Sequence, residues 1–186
     1  RHLYDLWGTP YSDFNSSNKT DLRFRDQLIE LDTGVLKSYK RIYTIAKNAS
    51  ARLKKHNGLD SVPLYHPPHL AGRYFAADDQ GYILSVGRLD RLKRADLLVR
   101  SMRFMNRRIK CRIAGTGPEF ENLQKLARAN GVADRVEFLG FVPDEDLPGL
   151  YAHATMVYFA PWDEDYGYVT LEAFLSQKPV ITAFDS

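Results

Sequence analysis

Glu164 and Glu172 stand with seven residues between them, Asp165-Tyr166-Gly167-Tyr168-Val169-Thr170-Leu171. Val169 to Leu175 reads as the first turns of a helix, and Gly167 lies where a loop must turn into it. Glu172 then falls in the first turn and Glu164 in the loop that feeds it. Such a junction presents free backbone N–H groups beside a helix N-terminus, which suits a phosphate or a polyol. The carboxylates accept hydrogen bonds from sugar hydroxyls, which N–H groups cannot do. An exposed helix glutamate is ordinarily only a solubilising charge. Glu164 differs because Trp162, Tyr166, Gly167 and Tyr168 flank it, an odd setting for that role.

Cations come earlier in the chain. In Gly87-Arg88-Leu89-Asp90-Arg91-Leu92-Lys93, Gly87 permits a close turn. Arg88 and Lys93 bracket the loop, and a diphosphate there would gain charge-assisted hydrogen bonds from both. With Arg91 and Arg94 also present, a solvated basic loop is the alternative. Gly115-Thr116-Gly117-Pro118 lacks the third glycine of a dinucleotide fingerprint and the lysine of a P-loop. Its glycines let backbone approach a ligand, or they make a plain tight turn; spacing leaves both open. Gly140-Phe141-Val142 offers backbone groups as a wall for a flat base, or is the end of a buried strand. His66 and His69 lack partners for a metal, His153 reads as a helix-surface residue and Cys111 as core. There is no nucleophilic serine elbow.

These residues all follow segments that read as strands. Strands are expected at 82–86, 111–114, 136–139, 156–159 and 180–183. Helices are expected at 93–105 (Leu97, Leu98 and Met102 inward), 119–130 and 169–177, with a short helical segment over 144–153 interrupted by Pro148 and Gly149. Alternating strands and helices imply βαβ crossovers and a parallel sheet, with ligands at the carboxyl ends of its strands. Upstream, residues 1–20 are polar and turn-rich and read as loop. Apolar residues at helical spacing predict a helix from Leu22 to Tyr39, with Gly34 a weak point. Residues 41–46 are β-prone. Asn48 or Ser50 could cap a helix ending near Asn57-Gly58. Val62 to Tyr65 is a short strand leading into the stiff His66-Pro67-Pro68-His69.

The chain has 186 residues, enough for one core or one domain plus part of another. Apolar residues make up 44% and charged residues 26%, which excludes a disordered chain. A net charge of +3 is too mild and too mixed for a nucleic-acid binder. A single cysteine forbids an internal disulfide and points to a reducing, cytoplasmic compartment. No apolar run reaches the roughly 20 residues of a membrane span, and Arg1-His2-Leu3-Tyr4-Asp5 is not a signal peptide. The chain opens without methionine and closes on a strand and the start of a loop, so a fragment of a longer protein is expected.

Gly87-Arg88-Leu89 with Lys93, then Gly115-Thr116-Gly117-Pro118, then Val136-Glu137-Phe138-Leu139-Gly140, then the two spaced glutamates, occur in an order that resembles the nucleotide-binding half of a family 4 (group 1) retaining glycosyltransferase of the GT-B fold. The match covers about residues 62–186. It implies an α/β, Rossmann-like parallel sheet flanked by helices, forming a donor-binding domain over 62–186 that is truncated at its C-terminus. Residues 1–61 would be a partial, helical tail of the preceding acceptor-side domain. By the resemblance, Arg88 and Lys93 neutralise the donor diphosphate and the charge growing on it as the sugar leaves. Glu164 holds and orients the sugar, with the N–H groups of Tyr166, Gly167, Tyr168 and Val169 beside it, and Glu172 binds the ribose. Gly87 and Gly117 give the donor room, and Val142 meets the base through its backbone.

The resemblance further implies a nucleotide-diphosphate sugar as co-substrate, no metal or other cofactor, and a hexose-type sugar moved with retention to an acceptor hydroxyl. The acceptor would be a glycan or lipid-linked sugar, held by the missing N-terminal domain at the inner face of the membrane during polysaccharide synthesis. Alone, the chain is expected to bind donor weakly and to transfer little or nothing. Arg94 departs from the family, which usually has glycine after the lysine, and Tyr166 replaces a commoner phenylalanine. Other readings of the same architecture are a non-catalytic nucleotide-sugar sensor, an isomerase and a phosphorylase. The last needs a pyridoxal-binding lysine that cannot be placed here.

Overall fold

The computed structural model describes residues 2–12 and 14–186. Arg1 and Asp13, in the stretch expected to be loop, lie outside the described residues. The chain divides into two compact units, 1–66 and 67–186.

In the first unit, turns precede α1 (Lys19–Lys37), which runs unbroken through Gly34. Asn18 caps it: its side-chain oxygen accepts from the Thr20 N–H at 2.9 Å. The β-prone segment yields β1 (Tyr43–Thr44), followed by α2 (Lys47–Asn57) and β2 (Val62–Pro63). α2 begins at Ala46 without a side-chain cap, so Asn48 and Ser50 lie inside it; Gly58 ends it in the left-handed conformation (φ 68°). β1 and β2 pair in parallel, Tyr43 opposite Val62. Both strands lie within the first unit.

The second unit is built on a five-stranded parallel sheet: β3 (Tyr82–Val86), β4 (Lys110–Ala114), β5 (Val136–Gly140), β6 (Met156–Tyr158) and β7 (Val180–Ile181). Its helices are α3 (Ala95–Ser101), α4 (Phe120–Ala129), α5 (Leu147–Ala152) and α6 (Tyr168–Leu175). The fold is therefore α/β with a parallel sheet flanked by helices, as the alternation of elements requires.

Strand β3 shows why both faces need cover. Ile83 enters one core cluster with Leu98 and Val99 of α3 and Leu123 and Ala127 of α4. Its neighbours Tyr82 and Leu84 enter the other, with Tyr151 of α5, Val157 of β6 and Ala173 of α6. Period-two alternation sends successive side chains to opposite faces, so this central parallel strand is buried along most of its length and apolar except at Ser85.

The spatial order is β5-β4-β3-β6-β7. It reverses between β3 and β6, which leaves a crevice at their carboxyl ends, the ordinary ligand position in such sheets.

Two expected elements differ. The helix predicted over 93–105 is a 3-10 turn (Arg91–Lys93), then α3, then a second 3-10 turn (Met102–Phe104). Arg94 sits between the first two in the left-handed conformation (φ 49°) and restarts the helix. The new phase turns Ala95, Leu98, Val99 and Met102 inward and leaves Leu97 38% exposed, not buried as predicted. In α5, Pro148 stands in the first turn, where its missing N–H costs nothing, so neither it nor Gly149 interrupts the helix.

Candidate functional site

The loop after β3 and the loop after β6 face each other across the crevice. Lys93 Nζ, from the first, forms an ion pair with Glu164 Oε2, from the second. Both side chains are partly buried, and Lys93 also lies 5.7 Å from the centre of the Phe159 ring. The loops are tied by backbone as well: the Trp162 N–H donates to the Leu92 carbonyl at 2.8 Å.

Gly87, Arg88 and Lys93 line one cavity of about 10 Å³ with Leu89 and Phe159, room for about one water. Arg88 is 74% exposed, and its Nε donates to Asp90 Oδ2 at 2.8 Å. Asp90 also accepts from the Lys93 N–H and so shapes the turn between the two cations.

The glycine turn after β4 approaches the β3 loop closely. A Cβ on Gly115 (φ 137°) would lie 1.9 Å from the Gly87 carbonyl oxygen. One on Gly117 would lie 2.3 Å from that of Leu89. The contact is sealed by Leu89 N–H to Thr116 O (2.8 Å) and Glu119 N–H to Leu89 O (3.0 Å). These glycines bring backbone against backbone.

Gly167 is the left-handed residue that starts α6 (φ 67°). A Cβ there would sit 2.8 Å from the Phe159 ring, which packs the loop entry against β6. The Tyr166 and Tyr168 rings meet edge to face at 5.0 Å. Val169 packs on the core. Glu172 is only 9% exposed; its Oε2 accepts from the Tyr151 hydroxyl at 2.6 Å. Burial, and next the Glu172 charge, push the Tyr151 phenol well above its ordinary pKa, which keeps it a donor. Tyr74 packs edge to face on Tyr151 at 5.5 Å, and its phenol is also raised, by burial first and then by Glu172.

Val142 lines a separate cavity of about 420 Å³ with Tyr82, Arg112, Phe141 and His153. The structure thus brings Lys93 and Glu164 into contact and sets Arg88 and Gly87 in the same cavity as Lys93. It places Glu172 in the second turn of α6, not the first as expected, with its carboxylate against Tyr151 of α5, and Val142 does not line that cavity. Of the weak metal candidates, His69 pairs with Asp144 at 2.9 Å. Among the described residues no helix is long and apolar enough to cross a membrane.

Sequence reasoning missed Tyr151 and gave Arg94 no role. Nothing in the sequence around Tyr151 marks it as the partner of Glu172, 21 residues away. Arg94 was visible as an oddity, but nothing local shows which groups its guanidinium grips.

Residues 71–184 match the family described as "Glycosyl transferases group 1". The chain belongs to that family. Among curated relatives of this group 1 glycosyltransferase, D-inositol 3-phosphate glycosyltransferase of Salinispora tropica is 34% identical over 128 residues, 61% of this chain and 26% of that protein. Alpha-D-kanosaminyltransferase of Streptomyces kanamyceticus is 30% identical over 145 residues, 76% of this chain and 36% of that one. The chain thus spans only about a quarter to a third of the length of these relatives. Among solved structures, Anabaena HepE in complex with UDP and glucose superposes with a TM-score of 0.76 at 19% identity, over 91% of this chain and 49% of its own. Sucrose-phosphate synthase from Thermosynechococcus elongatus gives 0.74 at 20% identity, over 84% and 44%. These two likenesses concern the fold.

Proposed function

We propose that this chain is the donor-binding part of a retaining glycosyltransferase that moves a hexose-type sugar from a nucleotide-diphosphate donor to an acceptor hydroxyl. The observation that carries the reading is the Lys93–Glu164 pair at the crevice where strand order reverses, in a chain of this family. The relatives and neighbours agree with it: glycosyltransferases, and HepE in complex with UDP and glucose.

In this reading the diphosphate lies at the rim of the small cavity, between Arg88 and Lys93. Their charge offsets what accumulates on the phosphate oxygens as the sugar–oxygen bond breaks. No metal is required for that step. Glu164 orients the sugar hydroxyls beside the first turn of α6. Glu172, steadied by Tyr151, accepts from the ribose, and Val142 meets the base through its backbone. The acceptor oxygen bonds to the anomeric carbon on the face that the diphosphate leaves, and a leaving phosphate oxygen takes the acceptor proton. The acceptor, a glycan or lipid-linked sugar, is held by residues beyond this chain, so the chain alone binds donor weakly and transfers little. Residues 1–61 are the tail of the preceding acceptor-side domain, and the working location is the cytoplasm, at the inner membrane face.

Calorimetric titration with UDP, GDP and ADP tests the reading. Saturable binding of at least one is expected, weakened by about tenfold or more in Arg88→Ala and in Glu172→Ala. Binding that neither change affects overturns it.

A further inference from the structure

Arg94 is buried, with 8% of its surface exposed, although it is an arginine in a surface loop. Its Nε donates to the Ala160 carbonyl at 2.7 Å, and Nη2 donates to the Pro161 carbonyl at 3.3 Å. Both terminal guanidinium nitrogens reach Asp185, Nη1 to Oδ2 at 2.9 Å and Nη2 to Oδ1 at 2.8 Å. The guanidinium lies 5.6 Å from the centre of the Trp162 ring. The Arg94 carbonyl in turn accepts from the Tyr158 hydroxyl at 2.9 Å.

One residue therefore binds the loop after β3 to the loop after β6 and to the segment after β7. A rigid, planar fork with several donors is needed to do this at once; a lysine ammonium cannot span the same acceptors. The backbone is held in the left-handed conformation, which disfavours every residue with a Cβ. A strained conformation persists only where its surroundings over-determine it. Here they do, through the carbonyl on one side and the guanidinium on the other.

The residue just before Arg94 is Lys93, and the residues it grips, Ala160 and Pro161, lead directly to Glu164. We propose that Arg94 is the positioning residue that holds Lys93 and Glu164 in register across the crevice, and so sets where a donor diphosphate meets Lys93. The second half of this proposal rests on the donor-binding reading; the first half stands on the ion pair alone.

The test uses the whole chain and two readouts. The first is ligand-free: acetic anhydride labelling of lysines, read by mass spectrometry. Arg94→Gly is the variant of choice, because glycine accepts the left-handed backbone and only the clamp is lost. Lys93, paired in wild type, is expected to label several-fold faster in Arg94→Gly, approaching its rate in Glu164→Gln. Lys110 and Lys125, far along the chain, keep their rates, which a general loosening of the fold would not allow. Arg94→Lys should not restore the slow rate. Asp185→Asn, which keeps the arginine, serves if Arg94→Gly does not fold, and moves the Lys93 rate in the same direction. An unchanged Lys93 rate in these variants overturns the proposal.

The second readout is affinity for UDP, GDP and ADP. Arg94→Gly should weaken by about tenfold whichever of them wild type binds, with no further loss when added to Lys93→Ala. A full additional loss in that background overturns action through Lys93. If wild type binds none of the three while labelling responds as expected, the donor reading fails and the positioning role stands.

Discussion

Lys93 and Glu164, 71 residues apart in the chain, neutralise one another across the crevice between β3 and β6. A ligand phosphate that needs Lys93 must compete with that carboxylate. Glu164→Gln is therefore expected to strengthen binding of a bare nucleoside diphosphate several-fold, because it frees Lys93 and removes a repelling charge. Stability should change by only about 0–1 kcal/mol, since the pair is partly solvated. Calorimetry and urea unfolding on the same preparations check both halves. Weaker diphosphate binding in Glu164→Gln would place the glutamate on the phosphate side.

The Tyr151–Glu172 contact is of another kind. A buried hydroxyl donates to a carboxylate at 2.6 Å, and breaking it leaves a charge short of a partner. Tyr151→Phe should cost about 1.5–3 kcal/mol in urea unfolding at pH 7. Adding Glu172→Gln to it should cost less than the two changes summed, because both remove the same contact. Strict additivity would mean the hydroxyl acts independently of Glu172.

Gly115 is bounded by backbone. An added methyl meets the Gly87 carbonyl, which has no flexible end to move aside. Gly115→Ala is predicted to destabilise by about 2 kcal/mol or more and to displace the Arg88 loop. Urea unfolding reads the first effect, and loss of nucleoside diphosphate affinity reads the second.

How far the site was legible follows from these contacts. The parallel sheet could be read because short β-prone segments, Tyr82–Val86, Lys110–Ala114 and Val136–Gly140, alternate with stretches of helical periodicity. Arg88, Lys93 and Glu164 could be picked out because each lies in the stretch that follows a strand, and Glu172 because it lies early in the next helix. The dual meaning of Gly115 and Gly117 could not be resolved, since only tertiary packing shows whether a Cβ would strike a ligand or the Leu89 carbonyl. The break before α3 was hidden because an arginine, not a glycine, takes the left-handed position. Its stabilising acceptors, Ala160, Pro161 and Asp185, are 66 to 91 residues away.

In the first unit, burial alone would raise the Asp5 carboxyl, but hydrogen bonds from Arg52 and His56 outweigh it and bring it down to about 2. A depressed carboxylate stabilises the fold above its unfolded pKa and loses that contribution as pH falls from about 4 toward 2. Asp5→Asn should therefore cost about 1–2 kcal/mol at pH 7, after allowance for solvent around the pair. The gap from wild type should narrow steadily below pH 4. A gap that stays constant from pH 7 to pH 3 would show that the charge on Asp5 is not what the arginine and histidine stabilise.

The most direct measurement is a nitrogen–proton correlation spectrum of the chain, recorded while UDP, GDP or ADP is added. The account predicts that amides of 87–94 and 164–172 shift together and saturate at one concentration, and that Lys93→Ala weakens the response in both segments. Shifts confined to other parts of the chain, or to one of these loops without the other, would contradict it.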